Sequence, residues 1–129
     1  MIKYVKENVN FKNKKTSDCV IRALSKASGK DYKVVAKELF DLYMKYGYMI
    51  NDKHCYEKWL DENGFIKQSQ PRKYDNTKYT IGEIDKLINP NYKVVVSCAN
   101  HLTCVVDYTL VDIWDCRNKC IGNYYVKRG

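Results

Sequence analysis

Along the 129 residues of the chain, the spacing of apolar positions changes once, near Asn89-Pro90. Before that point apolar residues recur every three or four positions, the signature of amphipathic helices. Val20, Ile21, Leu24 and Ala27 form one such stripe. Ser17 or Asp18 can cap the helix that carries it, and Ser28-Gly29 can end it. Asp31 opens a second helix with Val35, Leu39, Leu42, Tyr43 and Tyr46 on its buried side, and Gly47 closes it. A third helix is predicted over 52–63, with Tyr56, Trp59 and Leu60 inward and Asn63-Gly64 as its stop. The stretch 67–80 is polar, contains Pro71 and reads as a loop or irregular strand; a short helix follows over 81–88. After Asn89-Pro90 the pattern becomes extended, with strands expected at 92–97, 101–106, 110–114 and 121–126. The first ten residues, around Ile2, Tyr4 and Val5, suit a strand or ordered arm. Helices first and strands later predict an α+β fold in which N-terminal helices pack against a C-terminal antiparallel β-sheet.

Composition narrows this picture. The length fits one domain over 1–129 that buries a core without disulfides or metals. No apolar run approaches the roughly 20 residues that span a bilayer. The first ten residues lack the apolar segment of a secretory signal. A cytoplasmic, reducing location is therefore expected, with no membrane partner. There the six cysteines read as free thiols. Cys98 and Cys104 fall in apolar strands as small core residues. Cys116 and Cys120 have no companion CxxC that would argue for zinc. The net charge of +8 comes from 23 basic and 15 acidic residues, but only four of the basic ones are arginine. Base and phosphate readout leans on arginine, so nucleic acid is expected only as a nonspecific, charge-driven contact.

Three residues stand out as candidate chemistry. Cys19 opens the first helix, where free backbone N–H groups and the helix dipole favour a thiolate, the nucleophilic form. His101 starts a strand after Ala99-Asn100, and an imidazole titrates near neutral pH without much tuning. If Asp107-Tyr108-Thr109 forms a three-residue hairpin loop, Val106 faces Leu110 and His101 faces Asp115, whose carboxylate would orient the imidazole. A loop one residue shorter would put Trp114 opposite His101 instead. Asn13, six residues before Cys19, could offer an oxyanion donor together with the Cys19 N–H. Five further residues read more plainly. His54 and Cys55 point about 100° apart on a helix. Arg22 is expected to be solvated, Asp112 to alternate away from Asp115, and Trp114 to pack beside the site.

Residues 13–29, NKKTSDCVIRALSKASG, and 101–125, HLTCVVDYTLVDIWDCRNKCIGNYY, resemble the papain-like cysteine peptidase superfamily, nearest to its compact bacterial and phage members. The resemblance implies a papain-like fold and acyl transfer on a peptide, isopeptide or related amide bond. Cys19 would be the nucleophile, His101 the base, Asp115 the orienting acid and Asn13 the oxyanion residue. It also implies a protein or peptide substrate and no metal or organic cofactor. The superfamily includes inactive relatives, so a binding module acting by protein–protein contact is the alternative that fold alone does not exclude.

Overall fold

The computed structural model describes residues 1–128. In chain order the elements are β1 (Lys3–Lys6), α1 (Cys19–Ser28), α2 (Tyr32–Tyr46), α3 (Lys53–Glu62), β2 (Ile66–Gln68), a 3₁₀ turn (Ile81–Lys86), β3 (Tyr92–Cys98), β4 (His101–Val106), β5 (Thr109–Asp112) and β6 (Tyr124–Arg128). The fold is α+β. Asp31 and Asp52 cap α2 and α3 by accepting hydrogen bonds from the N–H groups of Lys33 and His54. Gly29 and Gly47 end α1 and α2 in the left-handed conformation that a side chain disfavours.

All six strands join one sheet in the order β1-β5-β4-β3-β6-β2. The expected C-terminal antiparallel sheet is corrected here in two respects. The N-terminal strand β1 adds to one edge, parallel to β5, and β2 adds to the other edge beside β6. The sheet is therefore mixed and draws on both ends of the chain. The short runs around Tyr4 and Ile66 carry too little alternation to declare a partner, and an open sheet edge supplies one.

Apolar residues fill both faces of the sheet. On one face, Val20, Ala23, Leu24 and Ala27 of α1 pack with Leu39, Trp59 and Leu60 of α2 and α3 over Val95, Leu102, Cys104 and Tyr125. Ala23 and Ala27 are small, so α1 lies close against the central strands. On the other face, Ile81, Ile84, Ile88, Cys116 and Ile121 cover Val94, Val96, Val105 and Leu110. Because β3 and β4 are buried on both faces, they read as nearly unbroken apolar runs.

The β4–β5 turn differs from expectation by one residue, and that residue decides the site. The loop is the two-residue Asp107-Tyr108, not a three-residue loop, and Val106 pairs with Thr109. Both loop residues have positive φ, 53° and 55°, as in the hairpin turn whose twist matches that of the flanking strands. Extending this register sets Thr103 against Asp112 and His101 against Trp114. Asp107→Val would force a β-branched residue into the left-handed region. Urea denaturation should show a loss of about 1–2 kcal/mol, whereas Asp107→Asn should be neutral or slightly stabilising.

Candidate active site

Cys19 is the first residue of α1, half-buried where the helix start meets the β3–β4 hairpin. It shares a cleft of about 370 Å³ with Asn51, Lys53, Tyr56, Ser97, Cys98, Asn100 and His101. His101 opens β4, and its ring lies within hydrogen-bonding reach of the Cys19 sulfur. Its Nε2 meets Oδ2 of Asp112 at 2.6 Å, which leaves Nδ1 for the sulfur. Trp114 stands edge-on to the imidazole, ring centres 5.0 Å apart. The helix start, the strand start and the strand end thus bring thiol, imidazole and carboxylate together in series.

The expected orienting acid, Asp115, is corrected to Asp112. The shorter turn puts Asp112 on the same sheet face as His101, one diagonal step away, and the chain bends after Asp112. Asp115 is exposed beyond that bend, and its carboxylate accepts from Nε and Nη2 of Arg117, each at 2.9 Å. Asn13 is corrected as well. It is exposed, adopts a positive φ of 54°, and lies outside the cleft. The loop is organised by Asn10, whose Oδ1 accepts from the N–H groups of Lys12 and Lys14 and whose Nδ2 donates to Asp18 at 2.9 Å.

Arg22 also departs from expectation. It is buried, with Nε donating to Asp18 at 2.8 Å and Nη1 to Asp112 at 2.9 Å. Asp18 additionally accepts from Tyr32 at 2.8 Å. Drawn into these contacts, the Asp18 side chain makes no cap bond to its own helix. The first-turn N–H groups at Cys19 therefore face the cleft without a side-chain acceptor from the capping residue. His54 stays on the surface, bonded to Asp52 and stacked on Tyr48, and Cys55 is buried against Leu39. They form no facing pair.

Electrostatics follow from this geometry. Burial works against the charge on Asp112, but His101 and Arg22 outweigh it and hold the carboxyl at about 2. Burial likewise opposes charge on His101, yet Asp112 and Cys19 raise the imidazole to about 9. The Cys19 thiol is resisted by burial and lowered by His101, by the Leu102 N–H and by Arg22, with a net shift downward. Both shifts move the pair towards a thiolate beside an imidazolium, titrating as a coupled pair. Since His101 titrates higher in the folded chain than its ordinary 6.5, its contribution to stability is full below about pH 6.5 and is lost as pH rises through about 9. Asp112, depressed from 3.8, contributes above about pH 4 and loses that contribution as pH falls through about 2.

The roles of four of these residues were hidden from sequence inspection. Asp18 and Arg22 are four apart and on one side of a helix, which was a usable signal. Asp112 depended on a turn length, and nothing local marked Asn10 as buried.

Two outcomes test this arrangement. Arg22→Met leaves two carboxylates in the interior without their cation, and chemical denaturation should show a loss of about 3–5 kcal/mol; Lys37→Met, exposed on α2, should change stability by less than about 0.5 kcal/mol. Urea midpoints of the wild type should fall between pH 6.5 and 9, and those of His101→Gln should stay flatter across the same window.

Compared with known proteins, the chain matches no family model, no curated protein and no solved structure. A function for it has to be argued from the site itself.

Proposed function

We propose that the protein is a cysteine-dependent hydrolase of papain-like type that cleaves a peptide, isopeptide or related amide bond through an acyl-enzyme. One observation carries this reading: a helix-start thiol and an imidazole line one open cleft, and the ring's other nitrogen is held by a carboxylate buried behind it. A helix start lowers a thiol, a second donor holds the ring, and the acid fixes the tautomer and stabilises the imidazolium.

In this mechanism the Cys19 thiolate attacks the carbonyl carbon and forms the C–S bond, and the carbonyl π electrons move to oxygen. The N–H of Cys19 can donate to that oxyanion. Of the two carboxamides that line the cleft, Asn51 and Asn100, either is better placed than Asn13 to give a second donor. The imidazolium of His101 protonates the leaving nitrogen as the C–N bond breaks. His101, now neutral, takes a proton from water, whose oxygen attacks the thioester. Collapse of that adduct releases the acid and returns the thiolate–imidazolium pair. Asp112 stays ionised throughout, and Arg22 holds it in place from the helix side.

A second reading, a binding module acting by protein–protein contact, is favoured by the outward-facing Phe40 and Met44 of α2, with Tyr48 and Met49 also exposed just beyond it. The two readings differ in what they require of Cys19.

Limiting iodoacetamide at pH 6.5 should label Cys19 well before the other five cysteines, read by peptide mass spectrometry. Even labelling would overturn the hydrolase reading. Against a fluorogenic peptide-amide and isopeptide library, Cys19→Ala should abolish turnover. Asp112→Asn should lower kcat/KM by about 100-fold or more, while Asp115→Ala should leave it within about twofold. A large loss for Asp115 with none for Asp112 would reverse their assignment.

A further inference from the structure

Behind the imidazole lie two thiols, Cys98 and Cys116, that acyl transfer does not use. Cys116 is fully buried. Its sulfur, a ring nitrogen of His101 and a carboxylate oxygen of Asp112 all lie within 4.8 Å of one another. Cys98 faces His101 across the β3–β4 turn as its register partner, outside that three-donor cluster and beside Cys116. Cys98 also lines the cleft, which gives an ion a way in. Beside Asp112 and Cys116 sits Thr103, whose hydroxyl is buried and meets no partner at good hydrogen-bond geometry. A buried hydroxyl with poorly formed bonds is costly, and here it borders Asp112 and Cys116.

We propose that Cys98, Cys116, His101 and Asp112 form an inhibitory zinc site that withdraws His101 from Cys19. The donor chemistry selects the metal: two thiolates and an imidazole favour zinc over magnesium or calcium, and a carboxylate completes a four-coordinate set. Zinc–ligand lengths of about 2.0–2.3 Å require the four donors to draw in around the ion. They also require the His101–Asp112 hydrogen bond to open, because both atoms then bond the metal. Binding releases the protons of the two thiols and of the imidazolium. Arg22 remains against Asp112 and offsets the net negative charge of a site with two thiolates and a carboxylate. Once Nε2 of His101 is bound to metal, the ring has lost the carboxylate that keeps it protonated, and Cys19 loses the imidazolium beside it.

Zinc binding itself does not depend on the hydrolase reading; its inhibitory consequence does. The test therefore has separate arms. The reduced, metal-free full chain should take up one equivalent of Zn²⁺ in competition with a chromophoric chelator, and Mg²⁺ and Ca²⁺ should not compete. The Cys98→Ser and Cys116→Ser variants should each bind at least about 100-fold more weakly. Cys19→Ala and Cys120→Ser should bind as the wild type does. If a core variant fails to fold, the wild type with Co²⁺ still decides, because thiolate-to-cobalt charge-transfer absorption of two-sulfur intensity is required. No uptake by the wild type, one-sulfur absorption, or affinity lost in Cys19→Ala but kept in Cys98→Ser would overturn the site. If zinc binds as expected but leaves Cys19 alkylation at its metal-free rate, the site stands and its inhibitory role falls.

Discussion

The buried guanidinium of Arg22 is the constraint on which the site depends. It bridges Asp18, at the start of its own helix, and Asp112, at the end of β5. Three charged groups withdrawn from water are unfavourable unless each satisfies the others, so the geometry tolerates little slack. That requirement fixes the rotation and the height of α1 on the sheet. Cys19 stands one turn before Arg22, and its position at the mouth of the hairpin follows.

The same bridge distributes the charge of the site. Asp112 is held from two sides, by Arg22 through Oδ1 and by His101 through Oδ2, and a third donor, the Ile113 N–H, also reaches Oδ1 at 2.7 Å. A carboxylate with that many donors stays ionised, and an imidazole beside it stays protonated. The cost of burying these charges is offset within the network, and the Cys19 thiol beside it is shifted downward. At the helix start, Asp18 is occupied by Asn10, Tyr32 and Arg22, which keeps a carboxylate away from the N–H groups that an oxyanion would use.

Local pattern carried much of the fold. The bounds of α1, α2 and α3 follow from apolar spacing together with Asp31, Asp52, Gly29 and Gly47, because caps act within one turn of the residues they satisfy. The strands at 92–98 and 101–106 were equally legible, being apolar on both faces. The strand expected at 110–114 ends two residues early, and the one expected at 121–126 begins at Tyr124. In both places the chain leaves the sheet to cover the second core with Cys116 and Ile121. No local rule announces such a departure.

Cys19 and His101 were recognisable in the sequence because each depends on its own element: a thiol at a helix start and an imidazole at a strand start. The acid was not, since its identity turned on whether a hairpin held two loop residues or three, and a one-residue slip exchanges the faces of a strand. Arg22 read as a surface charge because, although Asp18 stands one turn away, its second partner lies ninety positions away. The sequence by itself determined the helices, the central strands and the placement of a thiol and an imidazole at the starts of their elements. Tertiary structure alone decided which carboxylate serves them and which arginine holds it, because long-range electrostatic pairing is set by where elements meet and leaves no mark in local periodicity.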